Sequence, residues 1–163
     1  MTRGARAYIG LGSNLGEPSA QVSGALAELG KLPRTRLVAR SSLYRSRPMG
    51  PPDQPDYVNA VAALDTDLPP GELLRELQSL ERRHGRRRSG VRWGPRTLDL
   101  DLLLYDELSM NTAELVIPHP GIADRGFVLH PLRELAPALA IPGRGRVDQL
   151  ARRCPAEGLV RLD

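Results

Sequence analysis

Apolar residues in the first half of the chain recur at two spacings, one typical of strands and the other of helices. Residues 6–12 are mostly apolar or glycine and predict a buried strand, which 13–16 end with turn and helix-cap residues. In 18–32 apolar side chains recur every three or four positions, and this spacing predicts a helix. Residues 36–45 alternate loosely and carry β-branched and aromatic side chains, which predicts a second strand.

The same two spacings continue beyond a proline-rich segment. Residues 48–55 contain too many prolines for a regular element and predict a loop. A third strand is predicted over 57–64 and a second helix over 72–84, where leucines share one face. Residues 85–95 are rich in arginine and glycine, have no apolar period and predict a long loop.

A fourth strand over 97–105 and a helix over 128–135 complete a βαββαβ order with a C-terminal extension. This order predicts an α+β, ferredoxin-like fold, in which an antiparallel sheet carries helices packed on one face. The chain has no repeat and no linker, so we expect residues 1–163 to form a single domain. The tail after Pro142 is expected to form the trailing edge of that domain.

Two aspartates lie two residues apart within the fourth strand. Because side chains alternate along a strand, Asp99 and Asp101 should share one face while the neighbouring leucines occupy the other. Two close carboxylates repel each other, and a divalent cation relieves that repulsion. Oxygen ligands without a histidine or cysteine nearby in the sequence favour magnesium, so we predict that Asp99 and Asp101 hold it. The alternative is a solvent-facing strand edge that needs no ligand.

Arginine is concentrated immediately before these aspartates. The formal charge of the chain is +4, Lys31 is its single lysine, and seven arginines fall within 82–96. Guanidinium groups make paired contacts with phosphate, so this window predicts a local anion site. A solvated basic loop would give the same composition. Together, the arginines and the carboxylate pair favour phosphoryl-group transfer.

Other features limit the classes of protein that need to be considered. The hydrophobic fraction of 40% is typical of globular proteins, and the apolar runs are too short for a signal peptide or a membrane span. We therefore expect a cytoplasmic protein with no membrane partner. Cys154 is the only cysteine and is assigned no role. A P-loop is absent, and Gly10, Gly12 and Gly16 have the wrong spacing for a dinucleotide-binding fingerprint, so we expect them to serve packing and turns.

Several separate motifs resemble one enzyme family. They are Tyr-Ile-Gly-Leu-Gly-Ser-Asn-Leu at 8–15, Gln-Pro-Asp-Tyr-Val-Asn at 54–59, Arg-Trp-Gly-Pro-Arg-Thr-Leu-Asp-Leu-Asp at 92–101, Ile-Pro-His-Pro at 117–120 and Arg-Gly-Phe at 125–127. In these the chain resembles the 6-hydroxymethyl-7,8-dihydropterin pyrophosphokinases of folate biosynthesis. The resemblance implies a ferredoxin-like fold and transfer of pyrophosphate from ATP to the pterin hydroxymethyl group, with AMP released and two magnesium ions used.

The resemblance also implies a role for individual residues. Asp99 and Asp101 are implied to bind both ions and, with Arg86 and Arg96, to form the catalytic group. The implied ATP contacts are Gln78, Arg86, Arg88, Trp93, Arg96, His119 and Arg125. The implied pterin contacts are Ser46, Met49, Tyr57, Asn59, Trp93 and Phe127, in which aromatic rings enclose the pterin and the amide of Asn59 reads its edge.

Four residues at three sites depart from the family pattern. Ser46–Arg47, Glu114 and Pro120 differ from many relatives, which affects the expected adenine and ribose contacts.

Two other functions remain open. An RNA-binding module can share the βαββαβ order, although the aromatic strand signature of such modules is missing here. A metal-dependent nuclease or nucleotidyltransferase could use the same aspartates. With ATP and the pterin as its partners, we expect a monomer that binds no nucleic acid.

Overall fold

The computed structural model describes residues 4–47, 55–84, 98–156 and 158–162, and they form four helices and ten strands. The strands are β1 (Ala5–Ser13), β2 (Thr35–Arg40), β3 (Tyr44–Ser46), β4 (Tyr57–Thr66), β5 (Asp99–Tyr105), β6 (Met110–Asn111), β7 (Val116–Ile117), β8 (Ala140–Ile141), β9 (Gly145–Arg146) and β10 (Val160–Arg161). The helices are α1 (Pro18–Leu29), α2 (Pro70–Arg83), α3 (Gly126–Leu135) and α4 (Val147–Arg153).

The main sheet is antiparallel and confirms the predicted fold class. Its strands follow the order β10-β3-β4-β1-β5, and β2 pairs with β4 beside β3. β1 lies in the centre and pairs along its length with β4 on one side and β5 on the other. The two long strands β1 and β4 and the edge strand β5 therefore form one surface on which their side chains meet.

The predicted second strand is divided in two. β2 and β3 both pair with β4, but residues 41–43 between them leave the ladder. The Ser41 hydroxyl accepts the amide proton of Val61 at 2.9 Å, while the Ser41 amide donates to the Val61 carbonyl at 2.8 Å. A serine side chain thus replaces one backbone group of the ladder, which a strand prediction from apolar spacing does not detect.

Helices cover both faces of the sheet. One core joins α1 and α2 to alternate residues of the strands, among them Ile9, Ala62 and Leu100. The second core joins α3 and α4 to residues of the opposite parity, among them Tyr8 and Val61. The prediction of helices on one face therefore holds for α1 and α2 only. The C-terminal helices cover part of the other face. None of the helices in the described residues covers the part around Gly12, Asn59 and Asp99, which is called the open face below.

The C-terminal segment returns to the main sheet. β8 and β9 form a short hairpin, α4 follows, and β10 pairs with β3. The amide of Leu162 donates to the carbonyl of Leu43 at 2.8 Å and extends this pairing. Two-residue strands have no measurable apolar period, so the sequence indicated only a trailing edge here. Across the residues that the structure describes, every helix is too short or too polar to cross a membrane.

Candidate active site

The two aspartates lie on the open face of the edge strand β5. Leu98, Leu100 and Leu102 are buried in the core beneath α1 and α2. Asp99 and Asp101 alternate with these leucines and are half-buried on the opposite face, as the strand periodicity predicted. Burial of the leucines fixes the register of β5, because a slip of one residue would bury both carboxylates.

Glycines lie directly opposite both aspartates on β1. Gly12 pairs with Asp99 and Gly10 pairs with Asp101. On its other side Gly12 pairs with Asn59 of β4. No side chain therefore rises from β1 between Asn59 and Asp99, which are separated by two strand spacings, or about 10 Å. The result is a shallow trough with a carboxylate wall and an amide wall.

The amide wall is ordered by a neighbouring serine. Ser46 on β3 donates its hydroxyl proton to Asn59 Oδ1 at 2.5 Å, and both side chains are buried. This bond directs the Asn59 Nδ2 group toward β1. A Cβ added at Gly12 would lie 3.0 Å from Nδ2 and 3.6 Å from Tyr57 Cδ1. Ser46, Tyr57 and Asn59, three of the predicted pterin contacts, therefore lie together.

His119 borders the carboxylate wall. It follows β7, and its amide donates to the Leu103 carbonyl of β5 at 3.0 Å. Its Nε2 lies 3.8 Å from Asp101 Oδ1, and its Nδ1 accepts the amide proton of Gly121 at 3.1 Å. Since Nδ1 acts as an acceptor, the neutral ring carries its proton on Nε2, toward the aspartate. Burial lowers the pKa of His119, Arg125 lowers it further, and Asp101 opposes both.

Arg125 and Phe127 are placed together at the start of α3. The Arg125 guanidinium lies over the Phe127 ring, 5.9 Å from its centroid, which is within the range of a cation–π contact. Gly121 permits this position, because a Cβ there would lie 2.5 Å from Arg125 Nε. Both side chains are half-buried. A predicted nucleotide contact and a predicted pterin contact therefore meet at the end of one helix.

The remaining predicted residues are separate from this cluster or lie outside the described ranges. Gln78 is exposed on α2, which packs on the opposite face of the sheet from the two aspartates. Its role as an ATP contact stays a prediction. The other predicted positions fall in 48–54 and 85–97, outside the described residues: Met49, Arg86, Arg88, Trp93 and Arg96.

Two glutamates that support the site were missed in the sequence. Glu81 on α2 is buried, and its Oε2 accepts the amide proton of Leu100, the residue between the two aspartates, at 2.8 Å. Glu81 lies one turn after Leu77 on the apolar face of α2, and an acid at that position was the available signal. Glu134 on α3 bonds residues of 42–44 across the sheet. Its spacing gave no signal.

The possible metal ligands on the open face suit magnesium, which binds few protein groups, better than a metal ion whose ligands all come from protein. Within the described ranges, no three His, Cys, Asp or Glu side chains are grouped to enclose a metal ion. Asp99 and Asp101 provide carboxylates beside an open trough, and magnesium is commonly held by one or two carboxylates together with water and phosphate oxygens. The residues present therefore fit this ion.

The sequence is similar to known proteins of one family. The family model described as 7,8-dihydro-6-hydroxymethylpterin-pyrophosphokinase matches residues 8–137. The chain is 52% identical to the 2-amino-4-hydroxy-6-hydroxymethyldihydropteridine pyrophosphokinase of Pseudomonas aeruginosa, over 96% of each chain. It is 46% identical to the protein of that name from Haemophilus influenzae, over 96% of this chain and 98% of the relative.

Solved structures confirm the fold at lower sequence identity. A crystal structure of Plasmodium falciparum HPPK-DHPS with pteroate superposes with a TM-score of 0.74 at 12% identity. The match covers 94% of this chain and 43% of the solved chain, so this chain spans less than half of that protein. A likeness at this identity supports the architecture of the sheet and helices, whereas the sequence relatives support the family.

Proposed function

Since the chain belongs to the 7,8-dihydro-6-hydroxymethylpterin-pyrophosphokinase family, we propose that the open face of its sheet is where the reaction of that family takes place. The enzyme transfers pyrophosphate from ATP to the hydroxymethyl group of 6-hydroxymethyl-7,8-dihydropterin in folate biosynthesis. One observation carries the assignment of the site. Two carboxylates on β5 and an oriented amide on β4 lie on either side of β1, whose residue between Asp99 and Asn59 is Gly12.

Asp99 and Asp101 would hold the magnesium that this ATP-using kinase needs, and we propose two ions. When bound, magnesium neutralises the charge on the phosphate oxygens of ATP. The two carboxylates are suited to this task because β5 fixes them side by side and the core leucines prevent a change of register. Glu81 supports the same strand through the Leu100 amide.

The pterin would occupy the amide side of the trough. The amide of Asn59 offers both a donor and an acceptor, and the Ser46 hydroxyl occupies the acceptor, so Nδ2 is directed over Gly12. Tyr57 and Phe127 would enclose the ring by stacking. Met49 and Trp93 are assigned to this pocket by the family resemblance. A flat heterocycle placed here would direct its hydroxymethyl group across the trough toward the aspartates.

The phosphates of ATP would lie on the carboxylate side. His119 would present the Nε2 proton, because its Nδ1 is occupied by the Gly121 amide. Arg125 would add a positive charge near the pterin wall. Arg86 and Arg96 are proposed to neutralise charge on the transferred group. Gln78, Arg88 and Trp93 are proposed as further nucleotide contacts.

The transfer itself is proposed to be a direct in-line displacement. The pterin hydroxyl oxygen forms a bond to the β-phosphorus of ATP, and the bond from that phosphorus to the oxygen bridging to the α-phosphorus breaks. AMP leaves with the bridging oxygen, and the hydroxyl proton passes to solvent. Positioning and charge neutralisation supply the rate, so no covalent intermediate with the enzyme is needed. We also propose that the enzyme acts as a monomer.

Replacing Asp101 tests this site. The Asp101→Ala variant should lower kcat for AMP formation about a hundredfold or more, because one of the two carboxylates that would hold magnesium is lost. Pterin affinity should change little, since Asn59 and Ser46 lie across the trough. Glu107→Ala, which removes an exposed carboxylate just beyond β5, is the matched control and should keep full activity. Near-normal AMP formation by Asp101→Ala would refute the assignment.

A further inference from the structure

Glu134 on α3 accepts hydrogen bonds from three donors that belong to Ser42, just before β3, and Tyr44, at its start. The Ser42 amide donates to its Oε1 and Oε2 at 3.1 and 2.9 Å, and the Ser42 hydroxyl donates to Oε2 at 3.2 Å. The Tyr44 hydroxyl donates to Oε1 at 2.7 Å. The Arg161 guanidinium lies 3.9 Å from Oε2, and the carboxylate side chain is 26% exposed. Hydrogen bonds to a carboxylate are about twice as strong as neutral ones.

Of these donors, the Tyr44 hydroxyl belongs to the short strand β3 and the two Ser42 groups lie just before it. β3 is three residues long and follows the break at 41–43. It pairs with β4 at three positions and with the two-residue strand β10 at two. Strands this short contribute few ladder bonds, so side-chain contacts weigh heavily in fixing their position. Glu134 bonds the residues at the start of β3 and so limits its movement.

Both elements that Glu134 joins also carry predicted pterin contacts. β3 ends at Ser46, whose hydroxyl orients the amide of Asn59. α3 carries Phe127 in its first turn and Glu134 in its last, about 10 Å apart along the helix axis. The carboxylate therefore connects the helix that carries Phe127 to the strand whose Ser46 pairs with Tyr57 of β4.

We propose that Glu134 is a positioning residue of the pterin pocket, which fixes α3 with Phe127 relative to β3 with Ser46. This inference rests on the proposed pterin site at Asn59. A flat ring needs two walls at a defined separation, and a shift of α3 along the sheet changes that separation. The aspartates lie on β5, on the far side of β1 from β3, so the loss of Glu134 should affect pterin binding before it affects the chemical step.

The test compares Glu134→Gln and Glu134→Ala by the kinetics of AMP formation. The alanine variant should raise the KM for the pterin about tenfold, with changes in kcat and in the KM for ATP of less than about twofold. The glutamine variant keeps one acceptor oxygen but turns its amide protons toward the Ser42 amide. Its pterin KM should therefore lie between those of the wild type and the alanine variant.

Asp65→Asn is the matched control for a loss of stability alone. Asp65 binds Arg6 at 2.7 Å and Arg36 at 3.2 Å near the far end of β4 from Asn59. All variants are assayed at a temperature well below their unfolding midpoints. The control should have a lower midpoint and an unchanged pterin KM. If the Glu134 variants also lose only stability, or if both KM values rise together, the positioning role is wrong.

A second variant separates failure of this inference from failure of the site. Asn59→Ala should raise the pterin KM in the otherwise unchanged enzyme. If it does and the Glu134 variants do not, the pocket is correct and the positioning role is refuted. If Asn59→Ala leaves the pterin KM unchanged, the proposed pocket is refuted, and the positioning role with it.

Discussion

Gly12 forms the floor of the trough between Asn59 and Asp99. It pairs with Asp99 on β5 and with Asn59 on β4, and a Cβ there would lie 3.0 Å from Asn59 Nδ2. Distances this short require the neighbour to move. Because Ser46 holds the other end of the same amide, the amide cannot move without losing a buried hydrogen bond.

Gly12→Ala should therefore weaken pterin binding selectively. We expect the KM for the pterin to rise about tenfold, equivalent to about 1.4 kcal/mol, while the KM for ATP changes little. Gly71→Ala is the control, because a Cβ at Gly71 meets no atom within 4 Å. Steady-state AMP formation at varied pterin measures both. An unchanged pterin KM in Gly12→Ala would show that this glycine does not border the pocket.

The sequence predicted which residues form the site better than it predicted the hydrogen bonds between them. Strand alternation placed Asp99 and Asp101 on one face, and the structure confirms this. The bond from Ser46 to Asn59 joins residues that are 13 positions apart on adjacent strands. The pairing register of those strands creates the bond, and no spacing within one element encodes it.

Among the elements, the edge strand β5 depends on a buried acid. Glu81 on α2 is 6% exposed, and its carboxylate accepts the amide proton of Leu100 on β5. This bond fixes β5, the strand that carries both aspartates, to α2. If the buried Leu100 amide loses its acceptor, the protein loses stability, because the amide stays desolvated without a hydrogen bond.

Glu81→Ala should lower the free energy of unfolding by about 1–3 kcal/mol. Glu72→Ala on the same helix is the comparison, since its contact with Arg34 at 3.4 Å is exposed and should be worth less than about 1 kcal/mol. Urea unfolding of both variants measures the difference. Equal losses would mean that the bond to β5 carries no special stability.

Element positions were predicted where the apolar period is long. α1, α2, β1, β4 and β5 follow the predicted ranges to within a few residues. The break in the second strand was missed because the side chain of Ser41 imitates backbone. β10 was missed because its position depends on pairing with β3, which follows from the fold of the whole chain.

At the scale of the whole molecule, Glu134 joins α3 to β3 and the residue Ser42 that precedes it. Burial, together with the hydrogen bond to Glu134, raises the pKa of the Tyr44 hydroxyl to about 12. The folded protein therefore holds the Tyr44 proton more tightly than the unfolded chain, whose tyrosines have a pKa of about 10. The stability from this group is complete below pH 10 and is lost as the pH rises through 12.

The stability advantage of the wild type over Tyr44→Phe should therefore shrink in alkali. We expect it to be constant from pH 7 to 9 and to decline above about pH 10. Tyr105, whose pKa burial also raises, is present in both proteins and cancels. Urea unfolding of both proteins across this range measures the difference. A constant difference up to pH 11 would show that the Tyr44 hydroxyl titrates normally in the folded protein.

We propose that one face of the sheet holds two separable functions, phosphate chemistry at Asp101 and pterin recognition at Asn59. The most direct measurement is steady-state AMP formation from ATP and magnesium at varied pterin, for the wild type, Asp101→Ala and Asn59→Ala. We predict that AMP forms only with pterin, that Asp101→Ala loses kcat and keeps its pterin KM, and that Asn59→Ala shows a raised pterin KM. AMP release without pterin, or the same kinetic change in both variants, would contradict the account.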